Sequence, residues 1–455
     1  LKGEARNVTP SDTIIAIASP AGRGAVGVIR ISGPDVPRVA VALLGDLPNP
    51  RVAHLRRFQD ADGTALDEGL ALYFPAPASF TGEHVLELQG HGGAFIVDRV
   101  LNRVLGMGVR MARPGEFSER AFLNGKMDLA QAEAVADLID AGTTAAARAA
   151  VRSMQGEFSA RIRNLQSQLT ELRVYVEAAI DFPDEEIEVL QGPALQDRLS
   201  RVFQGFDSIT AAARQGALLR EGLNVVIAGA PNAGKSTLLN RLVGDDVAIV
   251  THLPGTTRDI LRQQVHFDGL PVNLIDTAGL RMAADVVEEE GIRRAKLEMA
   301  RADRVLYVLD ATLGHPSPET DLTHLPPAAA VVFVMNKIDL LGVPPRLESK
   351  AGITRVYLSA QTGAGIDLLR DHLKASAGYR DADSGALSAR RRHLDALRRA
   401  RELVGSAADT LRQAHAIELF AEDLRLAQRN LSEITGDFTN EDLLGQIFGS
   451  FCIGK

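Results

Sequence analysis

Apolar and polar positions follow three different rhythms along this chain. Over residues 1–125, short runs of strand composition, TIIAIASP (13–20), AVGVIRIS (25–32) and HVLELQG (84–90), mix with FIVDRVLNRVLGMG (95–108), whose apolar residues recur at helical spacing. Glycines and prolines punctuate the joins. From about 126 to 215 the rhythm becomes long and helical, as in AARAAVRSMQGEFSARIRNLQSQLTELRVYVEAAI, with DFPDEEIE (181–188) as a break. A proline inside that acidic run, with no histidine near, favours a solvated inter-helix turn over a metal site.

Between 217 and about 378 strands alternate with helix-like or loop segments: NVVIAGA, RQQVHF, PVNLID, RVLYVLD, AVVFVMNK and RVYLSA. The alternation predicts a mainly parallel, doubly wound sheet with nucleotide loops at the strands' carboxyl ends. Helix then resumes and runs to about 435, before a tail ending in FGSFCIGK. Helical sequence on both sides of an α/β unit reads as a nucleotide domain inserted into one helical domain, because domain termini usually lie close together. Two unrelated helical pieces are the alternative.

Composition narrows the class without naming a function. A chain of 455 residues is too long for one core, so two or three domains are expected. No stretch approaches the roughly 20 uninterrupted apolar residues that span a bilayer, and no signal peptide is evident, so a cytoplasmic protein without a membrane partner is expected. The single cysteine, Cys452, excludes an intrachain disulfide and a cysteine-based zinc site, which fits a reducing cytosol. A net charge of -8 argues against nucleic-acid binding by the chain as a whole. The most basic stretch, ARRRHLDALRRAR (389–401), spreads its arginines around a helix, which favours a solvated surface over an RNA contact.

Chemistry concentrates in GAPNAGKST (229–237), which follows a strand and opens a helix as a phosphate-binding P-loop does. Backbone N–H groups and the helix N-terminus would face the phosphates, Lys235 would neutralise the β and γ oxygens, and Ser236 would ligate magnesium. The base is chosen by MNKIDL, where Asn336 and Asp339 end a strand. A carboxylate accepts twice from guanine, from N1–H and the exocyclic amine, whereas adenine would leave its charge unpaired. SAQTGAG (359–365) follows the next strand, where Ser359 and Ala360 are placed to present backbone to the base. LIDTAG supplies Asp276 for magnesium through water, and Gly279, whose N–H would bond the terminal phosphate. THLPGTTRD (251–259) is the expected switch, with Thr257 completing the magnesium shell. Four such elements in order read as a GTPase. Leu280 follows DTAG where small Ras-like GTPases place a water-orienting glutamine, so another polar group is needed, and Glu288, Glu289 and Glu290 are the candidates.

At this point the chain resembles the tRNA-modifying GTPases of the MnmE (TrmE) family over essentially its full length. The resemblance rests on SPAGRGAVGVIRISGP, SFTGEHVLELQGHGG, ARPGEFSERAFLNGKMDLAQAEAV, GAPNAGKSTLLN, DVAIVTHLPGTTRD, DTAGLR and the terminal FCIGK. It implies a multidomain α/β plus all-α architecture: an α+β folate-binding and dimerisation domain (1–125), a helical domain in two parts (126–216 and 379–455), and an inserted P-loop GTPase domain (217–378). It further implies a homodimer that, with an FAD-containing MnmG-type subunit, adds an aminomethyl or carboxymethylaminomethyl group to C5 of the wobble uridine of certain tRNAs. The one-carbon unit would come from 5-formyl or 5,10-methylene tetrahydrofolate.

The resemblance also implies residues. Potassium would be held by Asn232, Thr251, Leu253 through its carbonyl, and Thr256, while Glu288, twelve residues beyond Asp276, would orient the water. The expected GTP contacts are Asn232, Ala233, Gly234, Lys235, Ser236 and Thr237 in the P-loop. The switch adds Thr251, His252, Leu253, Pro254, Gly255, Thr256 and Thr257. Asp276, Thr277, Ala278 and Gly279 follow, and the base end comprises Asn336, Lys337, Asp339, Ser359, Ala360 and Gln361. For the folate, the resemblance points to Arg30, Glu87, Lys126 and Lys455, with Arg30 and the lysines meeting glutamyl carboxylates and Glu87 the pterin donors. Cys452 is either a reactive thiol or an inert filler. Outside this resemblance, a ribosome-assembly GTPase of the Era or Der type and a non-catalytic GTP-binding scaffold stay open.

Overall fold

A computed structural model describes residues 12–20, 22–181, 192–244, 262–276, 297–313, 330–350, 352–380, 385–414, 417–437, 441–451 and 454. The chain divides into two compact units, one formed by Leu1–Ile139, Ser153–Phe203 and Ala396–Lys455, the other by Asp140–Arg152 and Gln204–Asp395.

The first unit carries a six-stranded sheet in the order β3-β4-β5-β2-β1-β6, built from β1 (Ile14–Ile17), β2 (Val26–Ser32), β3 (His54–Gln59), β4 (Ala65–Phe74), β5 (Val85–His91) and β6 (Arg110–Met111). Neighbours are antiparallel except β1 and β6. Alternation decides which face each residue serves. Ile15, Ile29, Ile31, Leu86 and Leu88 pack under α1 (Val36–Leu44) and α2 (Ala94–Leu105), while Ile14 and Ala16 point to the other face, against Phe117 of α3 (Glu116–Leu123). Helices α4 (Leu129–Ile139), α5 (Thr144–Met154) and α6 (Glu157–Asp181) follow, α5 crossing from one unit to the other. Asp128 and Gln131 cap α4 reciprocally, each side-chain oxygen accepting the other's backbone N–H at 3.0 Å. Along α6 the buried residues Phe158, Ile162, Leu165, Leu169, Leu172 and Val176 alternate steps of four and three. Steps of three and four also separate Ile417, Phe420, Leu424, Ala427, Leu431 and Ile434, the buried residues of a helix at Ile417–Thr435 near the chain's end. The two helices pack along these seams, each buried leucine contributing about 1.5–3 kcal/mol.

The longer stretch of the second unit begins at Gln204, within α7 (Pro193–Glu221). Gly222, at φ 73°, turns that helix directly into β7 (Leu223–Gly229). The sheet continues with β8 (Arg262–Phe267), β9 (Leu270–Asp276), β10 (Arg304–Asp310), β11 (Val331–Asn336), β12 (Arg346–Lys350) and β13 (Ile353–Tyr357), in the order β12-β13-β11-β10-β7-β9-β8. Strands β13, β11, β10, β7 and β9 are parallel, and the antiparallel edges are β8 and β12. The expected doubly wound sheet is therefore present. Strand β7 is buried from Val225 to Ala228, the continuous apolar run that a parallel strand covered on both faces requires. Helices α8 (Lys235–Gly244) and α9 (Ile366–Ser376) seal the core of Val225, Ile227, Leu238, Leu274, Val334 and Leu369. The helical sequence after the sheet forms α10 (Arg391–Ala414), α11 (Ile417–Thr435) and α12 (Glu441–Gly449).

Three strands of the first unit have no counterpart in the sequence expectations: β3, β4 and β6. Edge strand β12, RLESK, was not expected either, since it is exposed at four of its five positions and carries no apolar alternation. The acidic run expected at 181–188 begins as α6 ends and otherwise lies outside the described residues.

Candidate functional site

The carboxyl ends of the parallel strands bring the nucleotide motifs together. Gly229 closes β7 at φ 138°, and a Cβ there would lie 2.2 Å from the Val308 carbonyl oxygen of β10, so only glycine fits. The chain then turns through Asn232, exposed and left-handed at φ 62°, and Gly234 at φ 94° into the first turn of α8. Lys235 folds its ammonium back over the loop, donating to the carbonyls of Gly229 at 3.0 Å and Ala230 at 2.7 Å. Ser236 and Thr237 are exposed beside it, at the positive end of the helix. Asp276 ends β9 half-buried, level with Ile227 of β7. The Ser236 hydroxyl in the first turn of α8 and the Asp276 carboxylate at the end of neighbouring β9 are hard-oxygen donors of the kind that suits magnesium. Among the described residues, no group of three or more His, Cys, Asp or Glu side chains is placed to hold a metal on its own.

At the base end Asn336, only 3% exposed, joins two loops: its Nδ2 donates to the Ala233 carbonyl of the P-loop at 2.9 Å, and its Oδ1 accepts the Ala360 N–H at 2.9 Å. A Cβ on Gly234 would fall 2.3 Å from the same Nδ2, which explains the glycine. The Ser359 N–H goes to the Ala364 carbonyl at 2.9 Å, so both amides expected to face the base are engaged within the protein here. Asp339 is exposed in the turn after β11. Lys337, left-handed at φ 69°, pairs with Asp310 at 2.6 Å. That ammonium, with the Thr312 hydroxyl, holds the Asp310 carboxyl down at about 2. From α8, Arg241 donates to the carbonyls of Ala360 at 3.3 Å and Gln361 at 2.7 Å.

In the first unit Arg30 of β2 and Glu87 of β5 lie opposite each other in register and pair at 2.8 Å. Glu87 thus faces a guanidinium in this structure, where the sequence reading gave it pterin donors. Arg30 also donates to the Gly454 carbonyl at 3.4 Å and lies 5.6 Å from the Phe80 ring centroid and 5.9 Å from that of Phe117. Gly454 is itself pressed on β1, where a Cβ would meet the Ile17 carbonyl oxygen at 2.5 Å. Lys126 is exposed and donates to the Pro77 carbonyl at 3.1 Å, on the loop that carries Phe80. Behind them, buried Arg120 bonds Glu83, Glu116 and Asp12. Burial alone would raise Glu116, but Arg110, the Arg113 N–H and Arg120 outweigh it and hold the carboxyl at about 2.

Comparison with known proteins finds relatives over nearly the whole chain. Residues 13–126 match the family model described as GTP-binding protein TrmE N-terminus, and residues 129–452 match the MnmE helical domain. The tRNA modification GTPase MnmE of Methylococcus capsulatus is 56% identical over 445 residues, covering 98% of this chain and 99% of that relative. Its counterpart in Yersinia pseudotuberculosis is 55% identical over 455 residues, covering 98% and 100%. The chain belongs to the MnmE family. Among solved structures, the G domain of the T. maritima FeoB iron transporter aligns with 34% of this chain and 98% of its own at 26% identity. Its TM-score of 0.26 is too low to add to the MnmE assignment.

Of the residues that the MnmE resemblance singles out, Thr251, His252, Leu253, Pro254, Gly255, Thr256, Thr257, Thr277, Ala278, Gly279, Glu288, Cys452 and Lys455 lie outside the described residues. Sequence reasoning passed over Asp310, Phe80 and Arg241. Asp310 ends a strand at the nucleotide edge, a signal that was available; a lone arginine on α8 carries none. Within the basic stretch 389–401, Arg398 pairs with Glu402, Arg399 with Glu433, and Arg401 lies over Phe203.

Proposed function

We propose that this chain hydrolyses GTP and uses the cycle in tRNA modification. Asn336 carries the reading, because one buried amide ties the phosphate loop to the loop that follows β13, which is the arrangement a guanine-specific pocket needs. Asp339 then accepts from guanine N1–H and the exocyclic amine. Lys235 neutralises the β and γ oxygens, and Ser236 and Thr257, with Asp276 through water, would hold magnesium, whose charge would offset that of the phosphates. Water attacks the γ phosphorus, the bond to the β-bridging oxygen breaks, and GDP and phosphate leave. Glu288 orients that water, and the Gly279 N–H follows the γ-phosphate. Asn232, Thr251, the Leu253 carbonyl and Thr256 hold potassium, which supplies positive charge beside the phosphates where other GTPases place an arginine.

GTP contributes no atom to a uridine, so its role is conformational: switch loops held by the γ-phosphate are released on hydrolysis. The finer reading is a homodimer that works with an FAD-containing MnmG-type subunit. It adds a (carboxymethyl)aminomethyl group to C5 of the wobble uridine of certain tRNAs. The 5-formyl or 5,10-methylene tetrahydrofolate that supplies the carbon sits by Arg30, Glu87, Lys126 and Lys455. The adjoining Phe80 ring and Gly454 support that placement, as does the match of residues 13–126 to the TrmE N-terminal model. In domain terms, a nucleotide domain at 217–378 is inserted into a helical domain. A helical-domain match running from 129 to 452 across it supports that division. Mass spectrometry of wobble uridines from cells lacking the protein tests the tRNA reading: loss of the C5 substituent is expected, and an unchanged profile would sink it. GTP turnover in potassium and in sodium tests the cation, with equal rates contradicting it.

A further inference from the structure

We propose that Arg241 is a positioning residue for guanine recognition: from the second turn of α8 it fixes the direction of the Gln361 amide, which reads the purine's O6. The inference rests on the guanine-nucleotide reading above.

The turn 359–365 is closed on itself, with Ser359 N–H bonded to the Ala364 carbonyl and Gly363 N–H to the Ser359 carbonyl, both at 2.9 Å. Its first peptide units are gripped from two directions. Asn336 Oδ1 takes the Ala360 N–H at 2.9 Å, while Arg241 Nε and Nη2 take the carbonyls of Ala360 at 3.3 Å and Gln361 at 2.7 Å. In a trans peptide the C=O and the following N–H point in opposite directions. Drawing the Ala360 carbonyl toward α8 therefore aims the Gln361 N–H away from that helix. With the Ala360 amide committed to Asn336, the Gln361 amide is the next donor in the turn for a keto oxygen.

Two features favour this role over a surface contact. The guanidinium grips two successive carbonyls, which defines an orientation as well as a distance. Gly363, at φ 87°, lies close enough that a Cβ there would sit 3.7 Å from Arg241 Cζ, so the guanidinium is seated against the turn. Helix α8 thus begins at the phosphate loop with Lys235 and holds the base-reading turn about 9 Å further along its axis. Phosphate grip and base reading share one rigid element.

The test is the affinity of the full chain for GDP and IDP, before and after Arg241→Ala. Inosine keeps O6 and N1–H and lacks only the exocyclic amine that Asp339 reads. Losing the O6 donor's orientation weakens both nucleotides by the same factor, about tenfold, since one well-aimed hydrogen bond is involved. KM for GTP rises by that factor while kcat holds, because the γ-phosphate machinery is untouched. Arg241→Lys, which reaches one carbonyl, falls between. Unchanged GDP affinity in R241A overturns the proposal, and so does a loss confined to GDP, which would place the effect at Asp339. Should R241A be too unstable to assay, Arg241→Gln takes its place, and wild-type affinity for both nucleotides in that variant is equally fatal. A wild-type chain that fails to prefer GDP over ADP would instead refute the guanine reading itself.

Discussion

Asn336 uses both ends of one amide, and both of its hydrogen bonds are buried. Asn336→Ala leaves the Ala233 carbonyl and Ala360 N–H to find new partners in a buried setting. We expect about 3 kcal/mol of lost GDP affinity, roughly a hundredfold in Kd by equilibrium titration. That asparagine was legible because a strand ending in NKxD is a pattern. Arg241 was not, because a single charged residue on a helix has no pattern to betray it. The Arg120 cluster was also illegible, since Asp12, Glu83 and the Glu116–Arg120 pair of α3 come from three separate stretches of chain. Its consequence is a pH dependence. Glu116 is depressed from 4.5 to about 2 in the fold, so its stabilisation is complete above about 4.5 and is lost as pH falls toward 2. Glu116→Gln should cost about 3 kcal/mol at neutral pH in urea unfolding followed by circular dichroism, and the deficit should shrink below pH 4. A deficit independent of pH would contradict the ionic account.

Secondary elements divide by how loudly they declare their burial. Strands β7, β10 and β11 at the centre of the parallel sheet carry continuous apolar runs, and β9 is broken only at Asn273, so the sequence exposes them. Strand β12 has an edge to itself and reads as a charged loop. The hairpin of β3 and β4 was missed although its turn, Asp60–Thr64, contains an Asp-Gly pair, because HLRRFQ carries charges where it faces solvent. In the helices, the sequence shows helical rhythm, but the pairing of the α6 and α11 seams comes from the structure, because an apolar stripe does not name its partner. Leu169→Ala, at a fully buried seam position, should cost about 2–5 kcal/mol in thermal or urea unfolding. An effect below about 1 kcal/mol would mean that the seam is not packed as described. Gly229→Ala strikes a different element: a side chain at φ 138° against the Val308 carbonyl forces β7 away from β10. Loss of GDP binding is expected, and retained binding would contradict the close approach.

The molecule as a whole joins two units with separate cores, and the first is assembled from three stretches that include the chain's last residues. Phe451 packs with Phe448, Ile447 and Leu129, and Gly454 lies on β1. Removing residues 451–455 should therefore destabilise the first unit by about 3 kcal/mol and leave GDP affinity unchanged, read by urea unfolding and nucleotide titration of one preparation. A fall in GDP affinity would contradict the separation of the two cores. The proposed function has the second unit select guanine through the carboxylate of Asp339. Competition binding of GDP, ADP and XDP to the wild-type chain and to Asp339→Asn tests it most directly, because an asparagine amide donates where xanthine presents a carbonyl in place of guanine's amine. The wild-type chain should prefer GDP over both competitors, and D339N should prefer XDP over GDP. Equal wild-type affinity for GDP and ADP, or a D339N chain that still prefers GDP, would contradict it.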